Sequence, residues 1–196
     1  MKKMLRNQKG FSLVELLIVI AIMGVLAALA FSMFAGILGN SRRRADERTA
    51  DQIAKVLTSY ILESGDADLA ILTGDDTDYT VTFEDTAGTA NADLKPKLGN
   101  EDEHSQNLVL ALQHVIVITN NNTKRTIKYG PYLSPREGDE IHWDNYKPTW
   151  SGHEDGYNII VFSDLQKADV VPVPESRNDM KDALDNELNT GVIVHP

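Results

Sequence analysis

Glu15 is the only charged residue in the run from Phe11 to Leu38. A lone carboxylate one turn into an apolar helix is costly in lipid, so it marks a functional position by default. It sits in the stretch Lys9-Gly10-Phe11-Ser12-Leu13-Val14-Glu15. Cutting the chain between Gly10 and Phe11 supplies a partner. The new α-amino group of Phe11 is a positive charge at membrane depth, and Glu15 of a neighbouring copy neutralises it. Neither group is comfortable alone, so the pair favours side-by-side packing of copies and sets their axial stagger. Gly10, Phe11 and Glu15 are therefore the candidate processing and assembly residues. In an uncut anchor the carboxylate has no evident partner.

These residues are positioned by one long element. The run from Phe11 to Leu38 makes a helix of about 42 Å, longer than the ~30 Å hydrocarbon core of a bilayer. A secretory signal peptide has an apolar region of only roughly 7–15 residues with its cleavage site behind it. Here the run is about twice that long, and the boundary lies in front. A plain membrane anchor passes the same hydropathy test. The flanking charges, Lys2, Lys3, Arg6 and Lys9 before the run and Arg42, Arg43 and Arg44 after it, hardly decide orientation. Ile53, Val56, Leu57, Tyr60 and Ile61 then fall on one helical stripe. The pattern predicts a single helix from about residue 11 to about residue 62, roughly 78 Å long. Its first half is apolar all round and must project. Its second half is amphipathic and suited to lie on a sheet. Gly24, Ser32, Gly36 and Gly39 are its weak points.

Beyond Gly65 the predicted elements are short. Tyr79–Phe83, Val115–Thr119, Arg125–Tyr129 and Tyr157–Phe162 read as strands, the middle two joined as a hairpin through Asn120-Asn121-Asn122. Ser105–Gln113 reads as a helix capped by Ser105, and Asn178–Leu188 as another. Val170–Val173 is a fragment stopped by prolines, and Gly191–His195 a last short strand. Residues 66–78, 86–98 and 134–156 read as loops.

Composition removes whole classes of function. From residue 46 onward there are 12 basic and 28 acidic residues, so this part repels phosphate backbones and direct nucleic-acid binding is not expected. The absence of cysteine excludes a disulfide scaffold, a thiol nucleophile and any cysteine-based metal site. No Walker A, G-x-S-x-G, H-E-x-x-H or G-x-G-x-x-G motif occurs, and an enzyme is not expected. His142 and His153 without a third ligand fall short of a zinc site. Asn121-Asn122-Thr123 matches the glycosylation sequon. Trp143, Tyr146 and Trp150 form either an exposed binding patch or the core that pins their loop. The small residues Ala21, Gly24, Ala27, Ala28, Ala30 and Gly36 permit close helix approach, or simply reflect membrane-helix composition.

The stretch KGFSLVELLIVIAIMGVLAALA resembles the N-terminus of type IV pilins and of the pseudopilins of type II secretion. The shared features are a basic leader ending in Gly10, the aromatic Phe11, Glu15 and the long apolar segment. The resemblance implies an α+β pilin fold, with a long N-terminal helix whose amphipathic half packs on an antiparallel sheet. It implies a leader at 1–10, removed by a membrane prepilin peptidase that then N-methylates Phe11. Residues 11–38 become a membrane and filament-core helix, and 39–196 a globular head that includes the helix to about residue 62. The subunit waits as a single-pass protein in the lipid of the cytoplasmic membrane. A machine with a cytoplasmic ATPase and a platform protein then polymerises it with its own copies into a type IV pilus or pilus-like filament. Adhesion and motility are among the uses of such filaments. Two alternatives stand beside this reading: a pseudopilin of a periplasmic secretion piston, and an uncleaved, membrane-anchored binding module.

The chain departs from the family pattern in two places. Ser32 replaces a proline associated with loosening of the filament helix, a role left to Gly36 or Gly39, and no C-terminal disulfide can form. Tyr129-Gly130-Pro131-Tyr132-Leu133 resembles a stretch of major pseudopilins that precedes a calcium-binding loop. No cofactor is called for. Glu137, Asp139, Glu140, Asp144, Glu154 and Asp155 offer the oxygen ligands calcium takes, although a solvated acidic surface loop is the commoner explanation of such a cluster.

Overall fold

The computed structural model describes residues 11–96, 104–134, 140–150, 156–172 and 192–194. The expected helix at 178–188 and the candidates Gly10, Glu137, Asp139, His153, Glu154 and Asp155 lie outside them. Helix α1 runs from Leu13 to Ser64 without a break at Ser32, Gly36 or Gly39. It ends at Gly65, whose φ of 77° is the left-handed conformation that glycine adopts at least cost, and whose N–H donates to the Ile61 carbonyl at 2.9 Å. The chain divides into two units, Met1–Ser41 and Arg42–Pro196, with the boundary inside α1. In the first unit the large apolar side chains from Leu13 to Leu38 are all exposed.

In the second unit the helical stripe is buried as its spacing predicts. Ile53, Leu57, Tyr60 and Ile61 are inaccessible, and Val56 is half-buried beside them. They share one core with Phe83, Leu112, Ile116, Ile159 and Val161. After α1 come α2 (Ala70–Thr73), β1 (Tyr79–Glu84), β2 (Ala90–Asn91) and α3 (His104–Gln113). Next are β3 (Val115–Asn120), β4 (Thr126–Tyr129), a 3₁₀ turn at Trp143–Asn145, β5 (Tyr157–Phe162), β6 (Lys167–Pro172) and β7 (Val192–Val194). The first sheet has the order β2-β1-β3-β4 and is antiparallel throughout. Val81 lies opposite Ile118, which lies opposite Ile127, as the hairpin reading requires.

Tyr157–Phe162 was expected beside these strands, yet it centres a second antiparallel sheet, β6-β5-β7. Five of its six residues are buried, so it has no solvent face to offer and needs partners on both edges. Its partner β6 is longer than the expected fragment and alternates exposed and buried residues. Pro172 closes this strand, where the missing N–H costs least. The other two outward N–H groups of this edge are also occupied. Ala168 N–H donates to Thr58 Oγ1 of α1 at 3.1 Å, and Val170 N–H to the Asp169 carboxylate at 3.0 Å. An edge with its donors taken does not template a further strand. The two-residue β2 lies inside the expected 86–98 loop, and α2 inside 66–78. Both are too short for their periodicity to show.

The end of α1 is tied down by aromatic and carboxylate groups. Tyr60 Oη–H donates to Asp66 Oδ2 at 2.9 Å, and the same carboxylate accepts from Ile71 N and Leu72 N at 3.1 and 2.8 Å. Burial holds the Asp66 carboxyl above its usual range against those hydrogen bonds. Burial, then the Asp66 charge, pushes the Tyr60 hydroxyl far above the ordinary tyrosine value. The rings of Tyr129 and Tyr132 meet Tyr60 edge-on at 6.3 and 6.1 Å, and Tyr132 Oη–H donates to Glu63 at 2.6 Å. The Gly130-Pro131-Tyr132-Leu133 stretch is thus a strap between α1 and α3, since Tyr132 N and Leu133 N both donate to the Leu112 carbonyl at 2.9 Å. Gly130 is required there: at φ 70° a Cβ would lie 3.0 Å from Tyr132 N.

Because Tyr60 stays neutral in the fold while the unfolded chain ionises it near pH 10, its contribution is complete below pH 10 and is lost as the pH rises above it. Unfolding of the detergent-solubilised protein between pH 10 and 12 should become easier by up to about tenfold per pH unit from this residue. Tyr60→Phe should flatten that part of the profile, and an unchanged slope would contradict the assignment.

Candidate functional site

The N-terminal site is built by the start of α1. Ser12 is the residue before the helix, and its carbonyl accepts the first helical hydrogen bond, from Leu16 N at 3.2 Å. Its hydroxyl accepts from Val14 N at 3.3 Å. In return Ser12 N–H donates to Glu15 Oε2 at 3.0 Å. This reciprocal pair is a capping box, and its sequence form, Ser-x-x-Glu, stands at Ser12-Leu13-Val14-Glu15. Glu15, which has no evident partner in an uncut anchor on the sequence alone, therefore has one in its own backbone. The Ser-x-x-Glu spacing carries this signal in the sequence. Phe11 lies outside the helix and is 89% exposed. With Glu15, Leu16, Ile18 and Val19 it lines a shallow apolar depression.

In the head, the basic collar is exposed. Arg43 Nε donates to Glu47 Oε1 one turn on, at 2.9 Å, and its guanidinium lies over the Trp150 ring, 5.2 Å from the centroid. Of the aromatic trio, Tyr146 is buried and Trp143 meets Tyr157 edge-on at 6.0 Å. Tyr146 Oη–H donates to the Ser134 carbonyl and Tyr157 Oη–H to the Tyr146 carbonyl, both at 2.6 Å. These rings hold their loop to the core.

The sequon residue Asn121 is likewise structural. Its amide donates to the Thr77 carbonyl at 3.0 Å and accepts from Thr80 Oγ1 at 2.8 Å. Ser105 lies within α3, one residue past its start, and its buried hydroxyl accepts from Tyr157 N at 3.4 Å. Of the calcium candidates, Glu140 and Asp144 are described, and both are exposed. Asp144 Oδ2 lies 3.1 Å from His142 Nδ1, and the Glu140 carbonyl accepts from the Asn145 amide. Among the described residues no three histidines or carboxylates converge on a metal position.

Residues 5–31 match the family model of the prokaryotic N-terminal methylation motif. The type IV major fimbrial protein FimA of Dichelobacter nodosus is 32% identical over 104 residues, covering 49% of this chain and 67% of that protein. This chain belongs to the type IV pilin family. No solved structure matches it. The family's motif coincides with the capped start of α1, and the pilin architecture of one long helix followed by antiparallel sheets is the one described above. In this pilin the apolar part of α1 has its large side chains exposed, while the part from Ala50 on supplies the core.

One residue of the head escaped the sequence reading. Asp46 is 4% exposed, and its carboxylate accepts three hydrogen bonds from the aromatic loop: Thr149 N at 2.9 Å, Thr149 Oγ1 at 3.1 Å and Trp150 N at 2.7 Å. It lies seven residues before Ile53 on the same stripe, so its position was legible even though its charge argued for the surface. Asp46→Ala removes the acceptor that Asp46 Oδ2 offers to Thr149 N and Trp150 N. It should cost about 2 kcal/mol of stability, measured by denaturation of the full chain in detergent, whereas the exposed neighbour change Glu47→Gln should cost far less.

Proposed function

We propose that this pilin is made as a prepilin, cut between Gly10 and Phe11 and N-methylated on Phe11. It is then held in the cytoplasmic membrane by residues 11–38 and polymerised into a pilus or pilus-like filament outside the cell. The observation that carries this reading is the pairing of a single carboxylate, Glu15, with a helix surface that is apolar on every side and exposed from Leu13 to Leu38. Such a surface is stable only in lipid or against other apolar helices. Identical copies provide both the apolar contact and, once the leader is removed, the amine that matches the carboxylate.

A chain with this surface on one end and a polar, acidic head on the other suits an open helical polymer, whose contacts repeat without closing. The partners of this cycle are the peptidase that also methylates, the assembly ATPase, the platform protein and further copies of the chain. The Dichelobacter nodosus relative is a major fimbrial protein, which favours a pilus over a secretion pseudopilus.

Intact mass and N-terminal sequencing of the protein from its native membrane should return a chain beginning at N-methylated Phe11. Gly10→Ala should abolish leader removal, and normal processing of that variant would sink the peptidase assignment. Glu15→Val should be processed yet give at least tenfold fewer sheared filaments, because each subunit would bury an unpaired amine. Wild-type filament yield from it would refute the amine–carboxylate pairing.

A further inference from the structure

We propose that Ser12 is the positioning residue for Glu15, and that the two act as one unit in assembly. The inference rests on the prepilin reading above for its consequence, but its geometry stands by itself. Ser12 Oγ accepts from Val14 N at 3.3 Å while Ser12 N–H donates to Glu15 Oε2 at 3.0 Å. The first turn of a helix leaves four backbone N–H groups without an internal partner. In hydrocarbon no water replaces those partners. The box therefore answers two costs at once: it satisfies the Ser12 and Val14 N–H groups, and it gives the Glu15 carboxylate a donor in its own chain before any neighbour is present.

Processing leaves the box intact. The bond cut is Gly10–Phe11, so the charged amine appears on Phe11, while the Ser12 nitrogen remains a peptide N–H. The carboxylate commits Oε2 to the cap. The second oxygen, Oε1, is then the one the Phe11 amine of a neighbouring copy meets. A free glutamate samples several rotamers about three side-chain bonds. The cap holds it in one, one turn along from Phe11, so the spacing between amine and carboxylate is fixed before the copies dock. Without Ser12 Oγ the first turn frays and the carboxylate loses its fixed place. A subunit would then reach the filament with the right charge in the wrong position.

The test uses the full chain with its own processing machinery, comparing Ser12→Ala with Ser12→Thr. Three quantities are measured: cleavage and methylation by intact mass, sheared filament yield, and amide hydrogen exchange at Ser12 and Val14 in detergent micelles. The expected result is normal cleavage of Ser12→Ala with filament yield down about fivefold, the factor one N-cap hydrogen bond is worth. Ser12→Thr should restore it, since threonine also caps. Val14 exchange should rise about fivefold in Ser12→Ala, and Ser12 exchange by a similar factor in Glu15→Val.

Wild-type filament yield from Ser12→Ala would overturn the proposal, as would a Ser12→Thr variant no better than alanine. Loss of cleavage in Ser12→Ala would assign Ser12 to peptidase recognition instead, and also overturns it. If the wild-type chain itself keeps Met1–Gly10, it is the processing reading that fails. The exchange rates still decide the box, and unchanged rates refute it.

Discussion

A helix whose surface is apolar on every side, once in hydrocarbon, has to satisfy its backbone from within its own chain. The interior of α1 does so by its ordinary ladder. Its start has no ladder to use, and Ser12 and Glu15 supply two of the missing acceptors, for Val14 N and Ser12 N. Helix α1 stays continuous across Gly36 and Gly39. Any break at membrane depth would free carbonyls and N–H groups with no water to receive them. One unbroken helix therefore serves two surroundings, changing its surface from apolar all round to a single buried stripe.

The head solves the complementary problem of fixing an amphipathic helix by polar groups where apolar burial alone would let it slide. Asp46 and Asp66 mark the two ends of the buried stripe. Asp46 receives three donors from the loop at Thr149 and Trp150. Asp66 receives Tyr60, Ile71 and Leu72. Buried carboxylates are tolerated when they are fully hydrogen-bonded, and they are directional in a way that leucine contacts are not. Between them the stripe from Ala50 to Ile61 supplies the undirected part of the energy. The result is a helix held both in register and in rotation.

The Tyr129–Leu133 stretch, which the resemblance places before a calcium-binding loop, is fixed by its own contacts. They make it a strap, with Tyr132 on Tyr60 and Glu63 and its backbone on the end of α3. The protection of the β6 edge by Thr58, Asp169 and Pro172 is a similar case of side chains assigned by contact rather than by type. Among the described residues, the long continuous run of exposed apolar side chains lies on the first part of α1.

The sequence by itself determined what depends on order along the chain. The apolar run, its lone carboxylate, the boundary at Gly10, the stripe from Ile53 to Ile61 and most of the strands are local patterns with a fixed period, and such patterns survive without knowledge of partners. Even the capping box was written there, because it spans only four residues. The tertiary structure decided which distant groups meet. Tyr157–Phe162 belongs to a second sheet because its two edges pair with strands about ten and more than thirty residues away. Asp46 is buried because donors more than a hundred residues later close on it. Periodicity records which face of an element avoids water, and it carries no record of what that face will touch.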